Sequence, residues 1–355
     1  MRAAGHRVWN ARGWIVLAAL GAAGASVPLW ADVSVTRELI ELACYVGLAL
    51  AWNLLAGYGG LVSIGQQAFL GVGAYAFFAA VNLGGLPAWP GLLLGGAAAV
   101  VLALLAAPLL FRLQGGYFAI GSWVVAEALR LVVSNTESLG GSSGMSVRII
   151  DGLAPAQRNA VMLWVALALM GSVLAGTVLL LRSRLGLALS ALRDDARAAE
   201  SQGVPVVRVR LVVFALSAAV FGLFGAIYYM AALRVSPAAA FDVRWAVLVI
   251  FMVVIGGVGS IEGPVLGAVL FFLLDRSLSE YGTWWMVALG VAAVLVATFQ
   301  RGGLWGALER AAGRPLTLFP ARWHGRAGGP ASHDHATSAA APADPARPAA
   351  AQAPR

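Results

Sequence analysis

Few residue types suited to catalysis occur in this sequence of 355 residues. All 24 basic residues are arginine, so the chain lacks the lysine of an ATP-binding P-loop or of a Schiff base. The four histidines lie in the terminal segments, at His6, His324, His333 and His335, which leaves the apolar region without a histidine metal cluster or proton relay. Cys44 is the only cysteine. We therefore predict no catalytic residue, no metal site and no cofactor bound by this chain.

The longest polar stretch before the C-terminal tail runs from Arg182 to Arg210. Its apolar residues recur at helical spacing, which predicts one helix of about four turns with an apolar face. These residues are Leu185, Leu189, Leu192, Ala196 and Ala199. Gly203 and Pro205 then end the helix, since glycine permits a left-handed cap and proline cannot continue it.

Charged residues of this stretch fall largely on the other face of the predicted helix, and they include Arg193, Asp194, Arg197 and Glu200. Six arginines against these two acids and Asp195 predict a cytoplasmic position. A small, capped, amphipathic helix in that position is suited to contact with a partner. Composition alone fits an ordinary positively charged loop equally well.

Two glycine-rich runs interrupt the apolar region, Asn53 to Tyr75 and Val254 to Gly267. Small residues let helices approach closely, and repeated glycine can break a helix so that its backbone faces a cavity. We predict that the two runs line a translocation path, with tight helix packing as the alternative. The candidate path residues are Asn53, Gly57, Gly59, Gly60, Ser63, Gln66, Gln67, Gly256, Gly257 and Gly259.

Charged side chains inside the apolar segments are rare. Glu127 and Arg130 stand three residues apart, a spacing that permits a structural ion pair and lowers the cost of both charges. Glu41, Glu262 and Asp275 are the main other carboxylates at depth. A proton-coupled transporter normally uses such groups as carriers, so their scarcity disfavours secondary transport without excluding it.

Composition places these segments in a membrane. The chain is 60% hydrophobic and 11% charged, with a mean hydropathy of +0.83, which leaves too few charges to cover a water-soluble surface. The predicted fold class is all-α, a polytopic inner-membrane protein with about ten transmembrane or half-membrane helices. The apolar runs are Trp14 to Leu29, Glu38 to Ala56, Gln67 to Val81, Pro90 to Phe111, Tyr117 to Val133, Asn159 to Leu181, Leu211 to Leu233, Trp245 to Val258, Gly263 to Asp275 and Trp284 to Phe299.

An even number of spans places both termini on one side, together with the arginine-rich loops, and we predict this side to be cytoplasmic. The net charge of +8 follows from the same rule, so no nucleic-acid partner is predicted. The predicted organisation is an N-terminus with a first transmembrane helix at 1–35, membrane helices at 36–181 with an outer loop at 134–158, a cytoplasmic loop at 182–210, membrane helices at 211–300, and a cytoplasmic tail at 301–355 that is disordered from about residue 322.

Four stretches in order resemble the LivM-type inner-membrane permeases of branched-chain amino acid ABC importers. They are the glycine run Asn53 to Tyr75, the sequence LQGGYFAIGSWVVAEALRLV at Leu113 to Val132, the polar stretch with the following LSAAVFGLFGAIY, and Ser236 to Ala268. Gln66 stands where the family often has histidine, and Ala196 replaces an acidic residue, so Glu200 is the more reliable acidic match.

The resemblance implies an assembly and a mechanism. A second homologous permease subunit pairs with the chain, two ATPase subunits bind ATP and magnesium, and a periplasmic binding protein delivers the solute. It places the residues from Ala188 to Gly203 at the ATPase contact, with Arg193, Asp194, Asp195 and Glu200 as the side chains involved.

The implied location is the bacterial inner membrane, in contact with lipid. The implied cargo is a branched-chain amino acid, with urea, amides or small aromatic acids as alternatives. A proton- or sodium-coupled secondary transporter remains the alternative function, and a membrane enzyme is more remote.

Overall fold

The computed structural model describes residues 13–15, 18–146, 155–278, 283–300 and 302–313. These residues are almost entirely helical, as predicted. From Val33 onward the helices are α1 Val33–Asn53, α2 Gln67–Asn82, α3 Ala88–Leu110, α4 Gly116–Ser134, α5 Pro155–Arg182, α6 Arg184–Asp194, α7 Ala196–Ser201, α8 Val206–Ala232, α9 Pro237–Ala240, α10 Arg244–Gly256, α11 Glu262–Leu278, α12 Thr283–Phe299 and α13 Gly303–Ala311.

Short turns and one small sheet complete the described chain. A π-helical turn, Leu54–Tyr58, continues α1, and 3₁₀ turns occur at Val27–Leu29, Glu137–Leu139 and Gly141–Ser143. The strands β1, Met145–Ser146, and β2, Arg234–Val235, pair antiparallel. The sheet joins the segment after α4 to the end of α8.

Six helical segments are long and apolar enough to cross a membrane, and they confirm a multi-pass protein. They are Val33–Tyr58, Ala88–Leu110, Gly116–Ser134, Ala156–Arg182, Val206–Ala232 and Pro237–Gly256. Each of the ten predicted runs falls on a helix, although the first, within Gly13–Leu29, crosses residues outside the described ranges. The helix α2 is 16 residues long, about 24 Å at the α-helical rise, so it is shorter than a bilayer core.

The centre of the bundle is built by close packing of α2, α3 and α8, while α1 packs against α5 and α8. Gly73 of α2 lies so near Gly222 of α8 that a side chain on Gly73 would overlap the Gly222 backbone. A side chain on Gly225 would likewise overlap the Leu70 backbone. These glycines let the helices approach at backbone distance, which is the usual role of small residues between membrane helices.

The bundle has two distinct ends. At one end Asn82, the last residue of α2, donates a hydrogen bond of 2.9 Å from Nδ2 to the carbonyl of Ser146 in the small sheet. At the other end α7, the start of α8 and the α3–α4 connection line one cavity. The loop at Arg112 and the arginine-rich stretch therefore lie at the same end, as the sequence predicts.

The polar stretch is not one helix, and that prediction is wrong. The helices α6 and α7 are separated by Asp195, which has an extended backbone with φ −156° and ψ 111°. Its Oδ1 accepts hydrogen bonds from the backbone N–H groups of Arg197 at 2.8 Å and Ala198 at 3.1 Å. A short acidic side chain that bonds the following backbone in this way starts a new helix rather than continuing the old one. Gly203 has the left-handed φ of +83° that the sequence predicts.

Part of the predicted tail belongs to the bundle. The helix α13 packs against α10 and α11, and a side chain on its first residue, Gly303, would approach Gly257 to 2.6 Å. Residues 147–154 of the predicted outer loop lie outside the described ranges, and so does the tail from residue 314 onward, including its predicted disorder.

Candidate functional site

The two glycine runs, about 200 residues apart in sequence, meet through the side chain of Asn53. The Asn53 Nδ2 donates to the carbonyl of Ser260 at 2.7 Å, and Oδ1 accepts from the backbone N–H of Gly259 at 2.8 Å. Asn53 is 1% exposed, so both bonds are shielded from water. We call Asn53 together with the turn at residues 257–260 the glycine hub. The sequence predicted that both runs line one translocation path, and in the structure the two runs are in contact.

The turn itself requires glycine. Gly257 and Gly259 have φ values of +128° and +78°, a region that side-chain-bearing residues rarely adopt. Ser260 closes the turn, because its Oγ donates to the Gly257 carbonyl at 2.8 Å and accepts from the Gly263 N–H at 3.1 Å. A side chain on Gly256 would overlap the Gly263 carbonyl. The glycines of the second run thus meet the needs of turn geometry and close packing, while their place in a translocation path stays a prediction.

Glycines of the first run have different surroundings. A side chain on Gly57 would overlap the Asn53 amide oxygen, so this glycine makes room for the hub. Gly59 donates its N–H to the Leu54 carbonyl at 3.1 Å and ends the π-helical turn. Gly60, with φ +68°, borders the cavity under α7.

Three hydrogen bonds fix the segment between the π-helical turn and α2. Trp52 Nε1 donates to the carbonyl of Ser63 at 2.9 Å, and Ser63 Oγ accepts from the N–H of Gly65 at 3.2 Å. The N–H of Ile64 donates to Ser122 Oγ at 3.2 Å. Ser122 was not singled out from the sequence, where one serine inside an apolar helix carries no distinguishing signal.

Gln66 and Gln67 follow this segment and are both fully buried, at 0% exposure. Within the described part of the chain, neither the amide oxygen nor the amide nitrogen of either side chain has a hydrogen-bond partner. A buried polar group left unpaired costs on the order of 1–3 kcal/mol. Among the predicted path residues, these two adjacent amides at the start of α2 are the buried polar side chains that lack hydrogen-bond partners in the described chain.

Arg193 connects the polar stretch to the glycine hub. Arg193 is exposed, as its place on the polar face predicts, and its guanidinium lies against Gly259. A Cβ on Gly259 would lie 2.6 Å from Nη1 and 2.9 Å from Nη2 of Arg193. The last turn of α6 therefore rests on the turn that Asn53 holds.

Asp195, Glu200 and Gly203, which also belong to the predicted ATPase contact, are exposed. Asp195 caps α7, Gly203 ends the turn after it, and Glu200 lines the cavity beneath it. Asp194 is the last residue of α6, and its side chain lies outside the described part of the structure. Asp195 and Gly203 thus shape the stretch, and the ATPase contact stays a prediction.

The ion pair predicted within α4 has the expected geometry. Arg130 Nε lies 3.0 Å from both carboxylate oxygens of Glu127. The two side chains are 32% and 44% exposed, so the pair lies at the bundle surface and not in a buried path.

Glu41, one of the carboxylates at depth, is engaged in a network that the sequence did not reveal. Its Oε1 accepts a hydrogen bond of 2.7 Å from the Tyr45 hydroxyl, and its Oε2 lies 3.6 Å from Arg276 Nη2. Arg276 also pairs with Glu38 at 3.2 Å. The network ties α1 to α11. Among the described residues, no group of three His, Cys, Asp or Glu is placed to hold a metal ion.

Apolar helices packed around a buried hub of backbone and amide groups define a multi-pass membrane protein. The chain belongs to the family described as "Branched-chain amino acid transport system / permease component", which it matches over residues 34–299. This membership confirms the resemblance to LivM-type permeases.

Named relatives agree with the family. The chain is 30% identical over 300 residues to the high-affinity branched-chain amino acid transport system permease protein LivM of Salmonella typhimurium and, equally, to that of Escherichia coli; each match covers 76% of this chain and 70% of the relative. It is 27% identical over 286 residues to the fructose import permease protein FruG of Bifidobacterium longum, covering 75% of this chain and 82% of that relative. No solved structure matches the chain significantly.

Proposed function

We propose that the chain is the permease subunit of an ABC importer that carries branched-chain amino acids inward, driven by ATP hydrolysis in separate subunits. Its partners are a second homologous permease, two ATPase subunits that bind ATP and magnesium, and a periplasmic binding protein. Both termini and the arginine-rich stretch face the cytoplasm of a bacterium, in line with the excess of arginine there. Family membership supports the transport role, and one contact supports the coupling.

That contact is the guanidinium of Arg193 over Gly259. It joins the segment that resembles an ATPase-binding loop to the turn between α10 and α11. Asn53 then joins the same turn to the end of α1. A displacement of α6 by an ATPase subunit is thereby passed to three membrane helices through one turn. Because packed interiors switch between discrete arrangements rather than deform smoothly, a small shift at α6 is sufficient to change how these helices meet.

The cargo path in this proposal passes Gln66 and Gln67. An apolar residue of similar size would avoid the cost of burying an unpaired amide. The amides therefore favour a partner from outside the described chain, either the cargo or the second permease. A weakly polar site of this kind can pass a zwitterion without trapping it, while the binding protein supplies the affinity.

The substitution Gln67→Leu tests whether Gln67 contacts the cargo path or only fills space in the bundle. We expect the stability of the variant to be equal or higher, since an unpaired buried amide is removed, while uptake of labelled leucine falls by about tenfold. Gln157→Leu, at an exposed position in the first turn of α5, is the matched control and should leave uptake unchanged. Full uptake by Gln67→Leu would remove Gln67 from the path.

The cargo assignment follows the relatives named for branched-chain amino acids. The match to a relative named for fructose import shows that similar permeases are named for other small solutes, so these are the alternative cargoes. Uptake competition by urea, acetamide and benzoate against labelled leucine would rank these alternatives.

Secondary transport is the less supported alternative. Glu41, a candidate carrier at depth, is engaged by the Tyr45 hydroxyl and by Arg276 and so ties α1 to α11.

The substitution Arg193→Ala tests the coupling. In the reconstituted complex, we expect cargo-stimulated ATP hydrolysis to fall by about tenfold, which corresponds to the loss of a coupling free energy of typical size. Assembly with the ATPase subunits should persist, because the variant leaves α6 and α7 in place. Arg184→Ala, an exposed arginine at the start of the same helix, is the matched control and should hydrolyse ATP as the wild type does. Normal stimulation in Arg193→Ala would overturn the proposed route.

A further inference from the structure

A cavity of about 620 Å³ lies at the end of the bundle that carries α6 and α7. Four separated segments form its walls: the loop after the π-helical turn, the α3–α4 connection, α7, and the start of α8. This volume is within the range of small-molecule sites, about 300–1,000 Å³. The cavity is distinct from the glycine hub and from Gln66 and Gln67, which do not line it.

Three charged side chains line this cavity. Arg197 and Glu200 belong to α7, and Arg210 belongs to the first turns of α8. Within the described ranges, no ion pair joins Glu200 to either arginine, although opposite charges share the cavity. Arg210 Nε is buried and donates to no acceptor among the described residues. A buried guanidinium N–H without an acceptor is costly, so this edge of Arg210 is suited to receive an anionic oxygen from a ligand.

Apart from Gln114, the other side chains that line the cavity are apolar. Phe111, Leu113 and Phe118 line the cavity from the α3–α4 connection and α4, and Leu61 lines it from the loop after α1. A ligand that satisfies all of these groups carries an anionic oxygen for the arginines, a cation for Glu200, and a short aliphatic part for the apolar wall. A purely anionic ligand would be repelled by Glu200, and a purely cationic ligand by the two arginines.

We propose that this cavity binds a free aliphatic amino acid from the cytoplasm, with the carboxylate on Arg210 and Arg197 and the ammonium group on Glu200. The inference rests on the proposed function, because it makes the imported cargo a ligand of the coupling segment. A bound amino acid joins α7 to α8 and to the α3–α4 connection. It therefore stabilises one position of the segment that must move during transport, so accumulated cargo inhibits its own import.

A phosphatidylethanolamine headgroup has the same chemistry, an ammonium group and an anionic oxygen on a short chain. The experiment therefore needs two arms. In the first arm, the complete complex is reconstituted in vesicles of phosphatidylcholine and phosphatidylglycerol with ATP in the lumen, which is the ATPase side. The lumen also holds leucine over a range of concentrations, or 4-methylpentanoate, which lacks the ammonium group. In the second arm, phosphatidylethanolamine replaces phosphatidylcholine. Initial rates of leucine uptake and of ATP hydrolysis are measured in both arms.

In the first arm, lumenal leucine should slow ATP hydrolysis of the wild type, and 4-methylpentanoate should not. In Arg210→Gln, the leucine concentration for half-inhibition should rise about tenfold, the effect of one lost charge-assisted contact. Arg208→Gln, an exposed arginine two residues away that does not line the cavity, is the matched control and should keep wild-type inhibition.

The outcomes separate the two proposals. Absence of ATP-dependent uptake when the lumen holds ATP but no leucine would overturn the proposed function and with it the basis of this inference. Uptake that is present but insensitive to lumenal leucine, or equally sensitive in Arg210→Gln and the wild type, would overturn the amino-acid site alone. Slower ATP hydrolysis in the phosphatidylethanolamine vesicles, with ATP but no leucine in the lumen, would assign the cavity to the headgroup if Arg210→Gln abolished the slowing. That result would likewise overturn the amino-acid site.

Discussion

Removal of the Asn53 amide has the sharpest expected effect on the glycine hub. The substitution Asn53→Ala deletes the donor to the Ser260 carbonyl and the acceptor for the Gly259 N–H, bonds of 2.7 and 2.8 Å. Each of the two buried backbone groups left unpaired costs about 1–3 kcal/mol, so the free energy of unfolding should fall by about 2–6 kcal/mol.

The single cysteine provides the assay. Cys44 lies in α1 together with Asn53 and is 0% exposed, so a thiol-reactive fluorogenic maleimide labels it only when the helix unpacks. Thermal labelling curves of detergent-solubilised protein should shift to lower temperature in Asn53→Ala. The matched control is Asn135→Ala, which loses a hydrogen bond of 2.8 Å from Nδ2 to the carbonyl of Leu131 at an exposed helix end, and its unfolding free energy should change by less than about 0.5 kcal/mol.

If Asn53→Ala and Asn135→Ala label at the same temperature, the Asn53 amide does not hold the glycine runs together. The route from Arg193 to α1 through the turn would then lose its second link.

Three further substitutions test the packing and the caps. Gly256→Ala should destabilise the protein by about 2–3 kcal/mol in the Cys-labelling assay, because its Cβ would overlap a backbone carbonyl of α11, whereas Gly290→Ala, in open surroundings, should not destabilise it. Equal labelling of the two variants would show that the close approach is not required. Asp195→Ala should cost about 1 kcal/mol through the lost cap of α7 and weaken binding of the ATPase subunits in a pull-down titration; unchanged binding would show that the break does not shape that surface. Glu127→Gln should change the stability by no more than about 1 kcal/mol, since the pair with Arg130 is partly exposed, and a larger loss would indicate a buried role.

Hydropathy was sufficient to locate the membrane helices, because a span of apolar residues is a local property of the chain. The break at Asp195 was missed for a related reason. The apolar spacing continues through it, and the competing hydrogen bonds from the Asp195 side chain leave no mark on that spacing. Gly203, whose role depends on its own backbone angle, was assigned correctly.

Contacts between distant segments could not be derived from local patterns. Both glycine runs were recognised, but that Asn53 bonds the turn at 257–260 depends on how α1 and α10 pack. Arg193 is exposed as predicted, but helical periodicity cannot show that the turn at Gly259 lies beside its guanidinium. Substitution of Gly257, an obvious test of the path from sequence alone, would strain a backbone with φ +128° whether or not cargo passes nearby.

The energy source of uptake is the most direct test of the central claim. Labelled leucine is offered with the binding protein to proteoliposomes that contain both permease subunits and the ATPases. We predict that uptake requires lumenal ATP and continues after a protonophore has collapsed the proton gradient. Uptake that continues without ATP and stops with the protonophore would contradict an ABC importer and identify a secondary transporter.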